Sequence, residues 1–249
     1  MKDLNDWLRY YADCYETKDF ILGDPSWFMH QVSGDSNCET MAFIASALSF
    51  GSRKQFMPKI QTLLDLSGGE LSRWVTEGGY RNLFSTSDRS CFYRMYNMQT
   101  MRYFFDRLSA MLRQYGSIGA YLRNCRVHDG MGALEAICGW FDAGGGVKVV
   151  PHDTSSCCKR LCMFLRWMVR DHSPVDMGLW VDFIDKRTLV MPLDTHVLRV
   201  AFEIGLLNHR CASMAATRKL TDALAVVFPD DPLKGDFALF GYGVAHPVS

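Results

Sequence analysis

Along this chain apolar positions recur at three- and four-residue intervals, and convincing two-residue alternation is scarce, so helices dominate the expectation. Leu4 to Tyr15 reads as a first helix. Glu39 to Phe50 is nearly all apolar and ends at Gly51, which predicts a buried helix. Arg53 to Leu66 follows and stops at Gly68-Gly69, where glycine accepts the left-handed backbone of a helix end. Met98 to Tyr115 gathers Met101, Phe104, Phe105, Leu108, Met111 and Leu112 on one face. Met131 to Phe141 is closed by Gly144-Gly145-Gly146. Ser155 to Arg170, Asp194 to Leu206, Met214 to Phe228 and Leu233 to Phe240 complete the set. Pro151, Pro174, Pro192, Pro229 and Pro232 all fall in the connections. The pattern predicts an all-α fold of about ten helices with short loops and no internal repeat.

Composition narrows the class. Of 249 residues, 48% are apolar, enough for a packed core. No apolar run reaches the roughly 18 residues of a membrane span. Met1 to Tyr15 is acidic and polar, unlike a secretory leader. Nine scattered cysteines, odd in number and without a CxxC pair, read as reduced thiols of a cytoplasmic protein and predict no metal site.

Net charge is zero, yet its distribution is uneven. Residues 1–40 carry three basic and eight acidic side chains, 41–170 carry seventeen and nine, and 171–249 carry seven and ten. A basic middle between acidic ends fits either a polyanion partner or segments that neutralise one another.

Two helix starts carry candidate chemistry. In steps of 100° from Lys159, Arg166 falls near 340° and Arg170 near 20°, while Leu161, Phe164, Leu165 and Met168 cluster around 200°. The basic stripe reads as a solvated face or a polyanion contact. Lys159 sits in the first turn, where the helix dipole disfavours a cation and favours a neutral, nucleophilic amine. Downstream, Met191-Pro192-Leu193-Asp194-Thr195-His196 runs into a helix, with Asp194 placed to cap it. Taken alone, Asp194 is a cap and His196 a packing residue.

Pro192-Leu193-Asp194-Thr195-His196-Val197-Leu198-Arg199-Val200 resembles the helix-hairpin-helix–Gly/Pro–Asp motif of the DNA glycosylases related to endonuclease III. The resemblance implies a two-lobed all-α fold, Asp194 as catalytic acid, and Lys159, at the start of the preceding helix, as nucleophile. The 35 residues from Lys159 to Asp194 make a longer gap than in endonuclease III, nearer that of the archaeal 8-oxoguanine glycosylases. Phe43 to Lys54 resembles the early helix and turn that probe the DNA stack, and Asp236-Phe237-Ala238-Leu239-Phe240-Gly241 the last core helix. Val150 to Cys158 keeps the hairpin proline but neither hairpin glycine, leaving Ser155 and Ser156 as the phosphate donors. Only Cys211 lies beyond Cys162, so no iron–sulfur cluster is expected. Phe43–Leu48, Lys159–Arg170, Pro192–Val200 and Asp230–Gly243 are also similar to a bacterial family of unknown function.

The superfamily resemblance implies base excision on double-stranded DNA carrying a damaged base, oxidised or otherwise, with or without β-lyase activity, and without a cofactor. Arg53, Lys54, Arg160, Arg166 and Arg170 are the expected phosphate contacts. Trp167, Phe50 and Trp140 are the aromatics for stacking on an extruded base, and His196 and Asp236 the other pocket residues. Two alternatives stay open: a non-catalytic nucleic-acid-binding module on the same fold, and a helical protein-interaction domain. The acidic ends and the superfamily pattern predict residues 31–185 as a central basic lobe, and 1–30 with 190–249 as a second lobe.

Overall fold

Local signals set the helix ends. Asn97 accepts a hydrogen bond from the Thr100 amide at 2.7 Å and so starts the helix Met98–Tyr115, which Gly116 ends with φ +88°. Ser117, Asp194 and Ser213 cap three further helices in the same way. The computed structural model describes residues 4–143, 145 and 149–247, and the fold is all-α. The helices are α1 (Leu4–Tyr15), α2 (Asp35–Leu48), α3 (Arg53–Ser67), α4 (Leu71–Glu77), α5 (Met98–Tyr115), α6 (Ile118–Asn124), α7 (Gly130–Asp142), α8 (Lys159–Val169), α9 (Thr195–Glu203), α10 (Met214–Val227), α11 (Lys234–Asp236) and α12 (Tyr242–Ala245). Phe237–Gly241, between the last two, is a π-helical turn. The one sheet among the described residues is a hairpin of β1 (Cys91–Tyr93) and β2 (Tyr96–Asn97). Gly144 and Gly146, two of the three glycines expected to close α7, lie outside the described residues, as do residues 1–3, which precede the expected first helix. No helix among the described residues is long and apolar enough to cross a membrane.

The chain forms two compact units. One comprises Met1–Leu22, His128–Leu134 and Thr154–Ser249; the other comprises Gly23–Val127 and Glu135–Asp153. In the second unit, α2 is buried from Cys38 to Leu48, with Phe43 stacked on Phe104 at 5.8 Å and tilted against Phe141 at 5.4 Å. The one carboxylate in that stretch, Glu39, accepts from the Ile118 and Gly119 amides at 2.7 and 2.9 Å. It thereby satisfies buried N–H groups at the start of α6 that have no partner within the helix. In the first unit, α1 packs on the π-helical turn, where Tyr15 fills the space a Cβ on Gly241 would need. Leu161, Phe164, Leu165, Val197, Val200, Leu224 and Phe237 are buried here.

This division differs from the expected lobes. Residues 154–185 group with the C-terminal segment, because Arg166 on α8 and Arg170 at its C-cap are bound to Glu16, Asp176, Asp231 and Asp236. Residues 23–30 group with the middle of the chain, where the 3-10 turn Pro25–Gln31 packs on α2 and Asp24 pairs with Arg53 at 3.5 Å.

Candidate active site

Two helix starts meet in the first unit. α8 begins at Lys159, four residues later than the periodicity suggests, because Cys158 adopts a left-handed conformation (φ +43°). Its amide is held by Ser156 Oγ at 3.4 Å, so Ser155 to Cys158 stay irregular. Lys159 therefore occupies the first helical position. Asp194 caps α9 by accepting from the Val197 amide at 2.8 Å through Oδ1. Its other oxygen, Oδ2, lies 3.7 Å from Lys159 Nζ. The lysine side chain is 33% exposed and the carboxylate 10%, so the amine faces solvent across a nearly buried acid.

Asp236 is near enough to Asp194 for their charges to interact. It is buried, and its Oδ2 accepts from Arg166 Nη1. Burial pushes its carboxyl up to about 6; the Asp194 charge acts in the same direction and Arg166 opposes both. Arg166 Nε also donates to Asp176 at 3.2 Å, and Asp176 in turn accepts from Arg170. Burial raises the Asp176 pKa although both arginines lower it. His196 Nδ1 is 3.2 Å from the Gly243 carbonyl, and its ring meets Phe240 edge-on at 6.0 Å. Arg199, one turn further along α9, donates to the Gly243 and His246 carbonyls at 2.9 Å and fixes the chain after α12.

Several expected contacts are placed differently. Arg166 and Arg170 are 3% and 1% exposed, so they cannot meet phosphates from a solvated face. The wheel of α8 places its apolar side correctly, but the opposite side is buried too, against carboxylates from Glu16, Asp176, Asp231 and Asp236. Trp167 is wholly buried, and its indole N–H makes no hydrogen bond within the protein; as core it offers no stacking surface. Ser155 and Ser156 are exposed, and Arg160 is half-buried. Phe50, Arg53 and Lys54 belong to the other unit, where Phe50 packs against Tyr93 and Tyr96 at 4.8 and 5.0 Å. Trp140 lies in a cluster with Tyr115 and Tyr121, under Arg107. Asp176, which no motif singles out, joins the buried cluster around Asp236 only through the fold.

A groove of about 500 Å³ in the first unit is lined by His128 and Val181 to Arg187 and includes neither Lys159 nor Asp194. Among the described residues no group of three or more His, Cys, Asp or Glu side chains could hold a metal ion.

No curated protein and no solved structure matches the chain. A family described as protein of unknown function (DUF2400) matches residues 24–245, a span that takes in α8, the Asp194 cap and Asp236, and the chain belongs to that family.

Proposed function

We propose that this protein is a DNA base-excision glycosylase with lyase capability, acting in the cytoplasm on a damaged base. The observation that carries the reading is the approach of Lys159 Nζ to within 3.7 Å of Asp194 Oδ2 at the starts of two different helices. A capping aspartate needs no lysine, and a surface lysine needs no buried acid; an amine nucleophile needs a carboxylate beside it.

In the proposed reaction the nucleotide leaves the stack and presents C1′ to the pair. Asp194 takes a proton from the lysine ammonium, and the free amine attacks C1′. The bond from C1′ to the base breaks, and the base departs with the bonding electrons, taking the proton that Asp194 had accepted. As Asp194 gives up that proton, its returning negative charge stabilises the positive character that builds on the sugar. The second amine proton passes to the ring oxygen as the ring opens, leaving a Schiff base on Lys159; loss of a C2′ proton then expels the 3′ phosphate by β-elimination. Asp236, held on Arg166, keeps a second negative charge close to Asp194 when ionised.

Borohydride trapping on duplexes carrying different damaged bases tests the reading. At least one duplex should give a covalent adduct with the parent protein, lost in Lys159→Gln and strongly slowed in Asp194→Asn. Base release that persists in Lys159→Gln without any adduct would remove the lysine role and leave an aspartate-only enzyme. Duplex binding without base release or adduct on any substrate would favour the non-catalytic reading, in which Asp194 is a cap and Lys159 its counter-ion.

A further inference from the structure

The hairpin of the second unit ends in a feature that core packing does not explain. The residues flanking its turn are fixed: Tyr93 and Tyr96 are buried against Phe50, and the Tyr93 hydroxyl donates to the Phe50 carbonyl. Its tip is the two-residue turn Arg94-Met95, with Arg94 in the left-handed region at φ +49° and Met95 73% exposed. This apolar side chain, beside two buried tyrosines, is left largely in solvent.

The surroundings of the tip are cationic. The Arg94 guanidinium lies 6.0 Å from the Phe50 ring centre, above Gly51, where a Cβ would come within 2.7 Å of Arg94 Nη1. Lys59 Nζ stands 5.1 Å over the Phe92 ring at the hairpin root, and Lys54 is exposed in the first turn of α3. Among the described residues Arg94, Lys54 and Lys59 make no ion pair. Arg53 beside them is neutralised by Asp24 at 3.5 Å.

We infer that the Arg94-Met95 hairpin tip is a contact for duplex DNA, with Arg94, Lys54 and Lys59 on the phosphates and Met95 against the bases in the groove. Unpaired cations supply affinity for a polyanion, and an exposed thioether flanked by them suits the apolar edges of a groove better than a charged backbone. Neither a membrane surface nor an acidic protein calls for one exposed methionine on a turn anchored by buried tyrosines. The inference rests on the proposed choice of DNA as partner, but not on the catalytic pair.

The test is fluorescence-anisotropy binding of the full chain to an undamaged duplex over a range of salt. Arg94→Gly suits the positive φ and removes the charge without strain. It should flatten the slope of log affinity against log salt by about one unit. Met95→Asp should weaken binding on the order of tenfold at low salt. Both variants should melt like the parent, since both side chains are exposed. Parent-like binding by either variant overturns the inference. Loss of binding in both variants, in a protein that never forms a borohydride adduct, keeps this inference and sinks the catalytic reading. Adduct formation with parent-like binding in both variants does the reverse.

Discussion

Arg170 reaches Asp231, 61 residues further along the chain, through two parallel hydrogen bonds: Nε to Oδ1 at 2.8 Å and Nη2 to Oδ2 at 2.7 Å. Asp176 accepts from its Nη1, and Glu16 from Nη2 at 2.8 Å. Burial works against the arginine's charge, but the carboxylates outweigh it and hold its pKa above the ordinary guanidinium range. Arg170 thus joins α8 to the segment after α1 and to the segment before α11.

Removing that join should unfold rather than unbind. Arg170→Ala leaves Glu16 and Asp231 without this cation and Asp176 with Arg166 alone, and should cost about 3–5 kcal/mol. Urea denaturation should show it as a lower midpoint. Because Arg170 is 1% exposed, the folded fraction should keep the parent's affinity for duplex DNA and its salt dependence. A flattened salt slope in folded Arg170→Ala would return this residue to the phosphate-contacting surface.

The catalytic pair makes the opposite prediction. Asp194→Asn retains an oxygen able to accept from the Val197 amide, so stability should change by a few tenths of a kcal/mol, whereas Asp194→Ala should lose about 1 kcal/mol. Lys159→Gln, at a side chain one-third exposed, should cost less than about 1 kcal/mol. Adduct formation should fail in Lys159→Gln and fall steeply in both Asp194 variants. Thermal melts run beside the trapping reactions separate lost chemistry from lost fold.

Asp236 sets a pH dependence. Its folded pKa of about 6 stands above the unfolded 3.8, so the folded chain holds this proton more tightly than the unfolded one. The stability it contributes is full below about pH 3.8 and is lost as pH rises through about 6, a change on the order of 3 kcal/mol. Denaturation midpoints of the parent should therefore fall more between about pH 4 and pH 7 than those of Asp236→Asn, which has no proton to lose. Equal slopes in the two proteins would mean that Asp236 is ionised throughout this range.

Glu39 offers a test within the second unit. Its two oxygens hold the Ile118 and Gly119 amides, and it is 4% exposed. Glu39→Ala strands two buried donors and should cost about 2–3 kcal/mol, with Glu39→Gln recovering part of the loss. Chemical denaturation of the two variants checks the order.

Long periodic segments were legible from the sequence, because one apolar face is enough to define them. α1, α3, α5 and α10 fall close to their expected bounds. The short α4 and α6 span only seven residues each, too few for a clear period. The hairpin turns at Arg94-Met95 without the Asn-Gly or Asp-Gly signal that marks most tight turns. At the candidate site, Asp194 as a cap followed from its place before a helix, and its pairing with Lys159 from a resemblance. Arg166 and Arg170 were misread because a helical wheel shows how one helix divides its residues, not which distant carboxylates cover the other side. Glu39 was hidden for a related reason: its partners begin a helix 79 residues away.

The first unit has a consequence for synthesis on the ribosome. Its segment through Leu22 is made long before the turn at Phe237–Gly241 on which α1 packs. At roughly 5–20 residues per second, the newborn α1 waits roughly ten to forty seconds for its partner. The second unit draws on nothing beyond Asp153 and is complete in the emerging chain well before then. Meanwhile the aromatic face of α1, carrying Trp7, Tyr11 and Tyr15, lacks Tyr242 and Gly241 to cover it. The nascent protein therefore passes through a half-finished stage in which this aromatic face of α1 is uncovered.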